Sequence, residues 1–244
     1  MKIVIHTHVK YNKALSILLW NMKNKGYNNF EHQVILVISG AERNTQPEMG
    51  YVHHFFQDVP DDIKCCIILA QLDSWEYTSY HMLYVHRDHP LVDSDKYFLL
   101  MDSCTVDVTF CDKMKRFENY EPFPKHIPWI YGCNNLRTSN TYVFNKAVVL
   151  NYKDNFGTAV TKHKGINVEA GFCVNVDGKM VCGVKGFGRF LTHGPRWKLP
   201  PKDIYGTGSP RSPHWYPCFG IKKWILLNRF GDFDENIEKI TSQY

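Results

Sequence analysis

The fold is decided by the segment from Lys2 to Gly40, which reads KIVIHTHVKYNKALSILLWNMKNKGYNNFEHQVILVISG. Lys2–Ile5 is a short β-branched run that predicts a buried strand, and Gln33–Ser39 predicts a second one. Between them, apolar residues recur with helical spacing over Asn12–Lys25, and Gly26 predicts the end of that helix. A strand, a helix and a strand within about 40 residues form a βαβ unit, so we expect the two strands to be parallel.

A third apolar run, Lys96–Met101, predicts another buried strand, and it is followed directly by Asp102. The other elements we expect are a loop at His6-Thr7-His8, a helix over Ser74–His86, irregular structure over 119–136, and strands over Asn140–Asn151 and Phe172–Val176. The sequence therefore predicts an α/β fold. We expect a single domain with a mixed, mostly parallel central sheet flanked by helices, and a loop-rich C-terminal part.

Composition excludes several classes of protein. The chain has 244 residues, of which 44% are hydrophobic and 22% charged, which is typical of globular proteins and argues against disorder. The net charge of +5 is not gathered in a basic stripe, so we expect no nucleic-acid partner. We find no signal-peptide pattern and no apolar run of about 18 residues, so we expect no membrane span.

Cysteine usage points to a reducing compartment. None of the eight cysteines forms a C-x-x-C pair, so a zinc ribbon is not supported. We expect most of them to be buried thiols and the protein to be soluble and cytoplasmic.

Two segments could bind a diphosphate. Asp102 stands at the carboxyl end of a strand, where ligands bind in open α/β sheets, and its carboxylate could hold Mg²⁺ or Mn²⁺. It could equally cap a turn. Downstream, His193 could be a metal ligand, and Arg196 and Lys198 could neutralise phosphate charge. In isolation, that second segment could as well be a solvated basic loop.

Two more segments carry residue types that suit a site. His6-Thr7-His8 follows the first strand, where the pair of imidazoles could hold a metal or the loop could meet a nucleotide. Glu169 lies in a Gly-flanked turn before a strand and could act as a base or position an acceptor hydroxyl. An ordinary exposed turn glutamate explains Glu169 as well.

The order of these motifs resembles the GT-A fold of nucleotide-sugar glycosyltransferases. The nearest local match is the retaining family of glycogenin and the bacterial lipopolysaccharide galactosyltransferases. That family has a strand ending in Asp-x-Asp, a turn before a strand, and a late His-x-x-Gly-x-x-Lys-Pro-Trp segment. The matching residues here are Asp102-Ser103-Cys104, Glu169-Ala-Gly-Phe172 and His193-Gly-Pro-Arg-Trp-Lys198. The chain also resembles small glycosyltransferases of large DNA viruses, which would place it in the host cytoplasm.

The resemblance implies a site. Asp102 and His193 would be metal ligands for Mn²⁺ or Mg²⁺. Phosphate and nucleotide contacts would come from His6, Thr7, His8, Arg196 and Lys198. Glu169 would lie near the acceptor, as a catalytic residue together with Asp102. Cys104 stands where the family has its second Asp, and a neutral thiol is a poor ligand for a hard cation.

The resemblance also implies that one domain contains two halves with different binding roles. Residues 1–115 would form the nucleotide-binding half and residues 116–244 the acceptor-binding half. The implied activity is transfer of a sugar from a nucleotide-diphosphate sugar to a glycan, protein or other hydroxyl acceptor, with retention or inversion undecided. The alternatives are a metal-dependent hydrolase using His6 and His8, which would need a barrel, and a non-catalytic protein that binds nucleotides or sugars.

Overall fold

The computed structural model describes residues 1–74, 76–132 and 142–150, together with 173–176, 179–182, 189–192, 214–216 and 219–223. In chain order, its elements are β1 (Lys2–His8), α1 (Asn12–Asn24), α2 (Phe30–Gln33), β2 (Val34–Ser39), β3 (Glu48–Tyr51), a 3₁₀ turn (Val52–His54), β4 (Lys64–Leu69), α3 (Glu76–Val85), β5 (Lys96–Met101), β6 (Cys104–Val106), α4 (Phe110–Glu118), β7 (Trp129–Gly132), β8 (Tyr142–Asn145), α5 (Lys146–Leu150), β9 (Cys173–Val176), β10 (Lys179–Cys182), β11 (Arg189–Thr192), β12 (His214–Tyr216) and β13 (Ile221–Lys223).

The predicted βαβ unit is confirmed. β1 and β2 pair in parallel, with Ile3 opposite Val34 and His8 opposite Ser39. Helix α1 connects them, and Gly26 follows it with a φ of 85°, a conformation that glycine adopts without strain. The apolar stripe of α1 is fully buried, at Leu15, Leu18, Leu19 and Met22. Burying each of these side chains stabilises the fold by roughly 1.5–3 kcal/mol.

The main sheet has eight strands among the described residues, in the order β11-β7-β8-β5-β1-β2-β4-β3. β1 pairs in parallel with both β2 and β5, and β2 with β4. β3 and β8 run antiparallel to their neighbours, so the sheet is mixed. β11 pairs in parallel with β7, and both run in the direction of β5.

This strand order creates a switch point between β1 and β5. The chain begins at β1, extends through β2 and β4 on one side, and returns to β5 on the other side. In open α/β sheets, such a point at the carboxyl ends of the strands is where ligands commonly bind.

Helices cover both faces of the sheet. α1 and α4 pack on the face that carries Ile3, Ile5 and Leu100. α3 and α5 pack on the opposite face, which carries Val4 and Leu99. Because both faces are buried, the central strands are continuous apolar runs rather than alternating ones.

The expectation of a loop at His6-Thr7-His8 was wrong, since these residues complete β1. Thr7 pairs with Ile38 on one side, and on the other the Asp102 N–H donates to the His6 carbonyl at 3.0 Å. The polar side chains did not end the strand because neighbours on both sides supply backbone partners.

Two further expectations were wrong in part. The segment 119–136 contains strand β7, and the strand expected over Asn140–Asn151 ends at Asn145, where α5 begins. The Asn145 side chain explains both, because its Oδ1 accepts from the Trp129 N–H at 3.1 Å and its Nδ2 donates to the Ile127 carbonyl at 2.8 Å. Side-chain hydrogen bonds between segments that are far apart in sequence leave no local pattern from which they could be predicted.

The remaining helices and strands that we expected over described residues are confirmed, with small shifts in boundaries. β5 has the predicted bounds, while α3 and β9 are slightly shorter than predicted. Cys65, Cys66 and Cys104 are buried free thiols, and burial raises the pKa of Cys66 to about 12. Among the helices described, none is both long enough and apolar enough to cross a membrane.

Candidate functional site

A hydrogen-bonded pair of side chains lies at the switch point. Thr7 Oγ1 at the end of β1 donates to Asp102 Oδ2 just past the end of β5, over 2.8 Å. His6 is opposite Met101 in the parallel register, which brings Thr7 and Asp102 side by side at the carboxyl edge. Residues alternate between the faces of a strand, so both side chains lie on the face that α1 covers.

Asp102 is almost completely buried, with 3% of its surface exposed. Burial raises the pKa of its carboxyl to about 7. The Thr7 hydroxyl, the charge of Lys223 and the backbone N–H groups of Ser103 and His8 all oppose that rise. A carboxyl group that titrates near neutrality at a sheet edge is a candidate for binding or catalysis.

The positive charge near Asp102 comes from the far end of the chain. β13 pairs antiparallel with β6, which places Lys223 opposite Cys104. Its charge lowers the pKa of both Asp102 and His6. Lys223 could not be identified from the sequence, since nothing local distinguishes it from other lysines.

A polar rim surrounds this pair and consists of His8, Tyr11 and Asp73. His8 Nε2 lies 3.8 Å from Asp73 Oδ2, and the His8 ring centroid is 5.3 Å from that of Tyr11. Burial raises the pKa of Tyr11, and the charges of Asp102 and Asp73 raise it further. Gly40 closes the rim with a φ of 72°, and a Cβ there would lie 2.3 Å from His8 Nε2.

His6 faces the opposite side of the sheet. Its Nδ1 is hydrogen-bonded to Ser79 Oγ of α3 at 3.0 Å, and only 3% of the residue is exposed. Burial, followed by the charges of His8 and Lys223, lowers the pKa of His6 to about 3, so the ring is neutral. This position suits a residue that holds α3 against β1 rather than one that contacts a nucleotide.

Helix α1 begins directly after the rim. Among the described residues, no side chain forms a cap hydrogen bond at its N-terminus, and its first turn contains no acidic residue. Lys10 and Lys13 are exposed on either side of this N-terminus. The first-turn N–H groups and the helix dipole favour an anion at such a position, and the two lysines add to that preference.

The other predicted site residues, Glu169, His193, Arg196 and Lys198, lie outside the described residues. The strand before three of them is described: β11 ends at Thr192 and runs in the same direction as β5. The end of β11 therefore lies on the same side of the sheet as Asp102, at the carboxyl ends of the strands. β11 is three strands away from β5, which is roughly 14 Å at the usual strand spacing.

The described residues do not by themselves form a site for a hard cation. Asp102 offers one carboxylate, and Cys104, where a second carboxylate would stand, is a buried thiol. No group of three or more His, Cys, Asp or Glu side chains within the described part of the chain is arranged to hold a metal ion. The second ligand expected from the sequence, His193, lies outside that part.

The two-histidine hydrolase receives little support from the geometry. That alternative requires a barrel, whereas the described strands form an open sheet with β11 and β3 at its edges. One of its two ligands, His6, is buried and already bonded to Ser79.

Comparison with known proteins does not assign a family. No protein-family model matches the chain, and no curated protein matches it significantly. The glycosyltransferase resemblance therefore stays a prediction, and the functional proposal depends on the geometry of this site.

Proposed function

We propose that the protein is a glycosyltransferase that binds a nucleotide-diphosphate sugar at the carboxyl edge of its sheet, between β1 and β5. The observation that carries the proposal is the switch point, where Thr7 holds the buried carboxyl of Asp102 beside the start of α1. Open α/β sheets bind ligands in the crevice at such a point.

The charges around the switch point suit a diphosphate. The N-terminus of α1, with Lys10 and Lys13 beside it, favours an anion, and Lys223 adds positive charge next to Asp102. The segment after Thr192, which carries Arg196 and Lys198, starts from the same edge of the sheet. We propose that these cations bind the phosphates and stabilise the negative charge that develops as the sugar–phosphate bond breaks.

The chain's own groups have defined parts in this reaction. The first turn of α1 orients the diphosphate, and the rim residues His8 and Tyr11 lie beside it. Glu169 is proposed to position the acceptor hydroxyl or take its proton as the bond to the sugar forms. The transition state resembles an oxocarbenium ion, by analogy with glycoside cleavage. A bound Mn²⁺ or Mg²⁺ would add Lewis-acid stabilisation of the diphosphate, with Asp102 as its only proposed ligand among the described residues.

Thermal unfolding in the presence of nucleotide diphosphates, with and without Mn²⁺, tests the proposal. A ligand at 100 times its dissociation constant adds about 2.7 kcal/mol to the free energy of unfolding. For a chain of this size, that raises the melting temperature by roughly 5–11 °C. If no nucleotide diphosphate stabilises the protein, the proposal fails.

Turnover separates an enzyme from a binding protein. Incubation with a nucleotide sugar should release free nucleotide diphosphate slowly, as water replaces the acceptor, and mass spectrometry detects it. Binding without any release, even with a panel of sugar acceptors, would instead identify a non-catalytic binding protein.

A pair of charge variants tests where the diphosphate binds. Changing Lys10 and Lys13 together to Gln should weaken binding about tenfold, or about 1.4 kcal/mol. Changing Lys115 and Arg116 together to Gln is the matched control, because it removes the same two charges from exposed positions in the last turn of α4. The end of that helix contacts Lys96 at the start of β5, at the opposite end of the strands. Equal effects of the two changes would remove the α1 N-terminus from the site.

A further inference from the structure

A cavity opens at the same sheet edge, beyond the ends of β1, β2 and β4. Its volume is about 380 Å³, within the range of about 300–1,000 Å³ that is usual for small-molecule sites. Apolar side chains form most of its lining, namely Val9, Ile38, Ala41, Phe55, Phe56 and Leu69. Val9 directly follows His8, so the cavity adjoins the rim of the proposed diphosphate site.

The cavity has a buried floor and exposed apolar walls. Ile38 and Phe56 are 1% and 4% exposed and form the floor. Phe55 and Val9 are each 41% exposed although both are apolar. An aromatic ring left open to solvent in a concave site offers a stacking surface for a flat ring.

Two oppositely charged residues, Glu42 and Arg43, complete the lining. Backbone hydrogen bonds fix the segment that carries them, because Ala41 donates to the Ala70 carbonyl at 3.0 Å and Thr45 donates to the Leu69 carbonyl at 3.1 Å. The Gln71 side chain also donates to the Glu42 carbonyl at 2.6 Å. The loop is therefore held in place before any ligand arrives.

Glu42 and Arg43 offer a ligand opposite kinds of hydrogen-bonding group. A glutamate carboxylate only accepts hydrogen bonds and can take two side by side, whereas a guanidinium only donates. The matching ligand is a flat ring with two adjacent N–H donors and, nearby, two acceptors.

Guanine is the nucleobase that has this pattern. Its N1–H and N2–H₂ groups are adjacent donors, and its O6 and N7 atoms are acceptors that arginine binds as a pair. Uracil flanks its one N–H with two carbonyl oxygens, which a carboxylate repels. Adenine and cytosine each place an acceptor nitrogen beside their amino group, so neither can give a carboxylate two hydrogen bonds from adjacent ring positions.

We propose that this cavity binds guanine, with the carboxylate of Glu42 and the guanidinium of Arg43 selecting the base and Phe55 stacking on it. The inference rests on the proposed function and specifies its donor as a guanosine-diphosphate sugar. With the base in the cavity, the ribose lies at Val9 and the diphosphate reaches the N-terminus of α1.

Dissociation constants for GDP, UDP, CDP and ADP, measured by calorimetry on the full chain, test the proposal. GDP should bind at least about tenfold more tightly than the other three. If UDP, CDP or ADP binds as tightly as GDP, the guanine assignment is wrong while the proposed function stands. If none of the four binds, the proposed function itself fails.

Variants locate the base. Glu42→Gln should weaken GDP binding roughly ten- to a hundredfold, the usual cost of losing a charged hydrogen-bond partner, and should not weaken UDP binding, because it removes the repulsion of the uracil carbonyl oxygens. Glu48→Gln is the matched control, since it removes an exposed carboxylate on β3 outside the cavity. Phe55→Ala should weaken GDP binding by a similar factor through lost stacking. If neither Glu42→Gln nor Phe55→Ala changes GDP affinity, the base binds elsewhere and the proposal is overturned.

Discussion

Replacing Asp102 with Asn should change how the stability of the protein depends on pH. The pKa of Asp102 rises from 3.8 to about 7 in the folded protein because the carboxyl is buried. Between these two values the folded protein holds a proton on Asp102 and the unfolded chain does not. The contribution of Asp102 to stability is therefore fully present below about pH 4 and is lost as the pH rises towards 7.

The size of the effect follows from the shift. A shift of about three pKa units corresponds to about 4 kcal/mol, of which about 2.5 kcal/mol falls between pH 5 and pH 8. Asn does not titrate, so the free energy of unfolding of Asp102→Asn should rise by about 2.5 kcal/mol relative to the wild type over that interval. In melting temperature this is roughly 5–10 °C.

Urea unfolding of both proteins at pH 5 and pH 8 measures the difference, and contributions from all other titrating groups cancel in the comparison. Asp73→Asn serves as the control because it removes a carboxylate at the same sheet edge whose side chain is 47% exposed. If the difference in free energy of unfolding between wild type and Asp102→Asn does not change with pH, Asp102 stays charged throughout this interval. The buried carboxyl would then not be neutral at pH 5.

Two further changes probe the same edge of the sheet. Thr7→Val removes the hydroxyl that donates to Asp102. It should raise the pKa of Asp102 further and lower the free energy of unfolding by about 1–3 kcal/mol at pH 8, and by less at pH 5. Urea unfolding measures both losses, and equal losses at pH 5 and pH 8 would contradict this expectation. Gly40→Ala should cost more than Gly26→Ala, although both positions have positive φ, because the new Cβ lies 2.3 Å from the His8 ring at residue 40 and meets nothing within 4 Å at residue 26. Equal melting temperatures for the two variants would refute the contact with His8.

Much of the central sheet could be predicted from the sequence, because strands buried on both faces leave continuous apolar runs. β5 was predicted with its correct bounds, and the β1–α1–β2 unit follows from spacing alone. β7 could not be predicted, since its Pro-rich surroundings suggest a loop and it is held by the side chain of Asn145.

The candidate site could be predicted only in part. The position of Asp102 after an apolar strand indicated a carboxylate at the sheet edge. Its partners Thr7 and Lys223 depend on which strands become neighbours. The roles expected for Glu169, His193, Arg196 and Lys198 stay predictions.

The sequence by itself determined the local elements: the apolar runs that become strands, the spacing of α1, and the residue types at the strand ends. Only the tertiary structure decided that β5 returns to the side of β1 opposite β2, and this created the switch point. It also decided which carboxylate is buried, and hence that Asp102 titrates near neutrality while Asp73 lies at the surface. The physical reason is that strand order and burial arise from contacts between segments far apart in the chain, whereas periodicity records only the near neighbours of each residue.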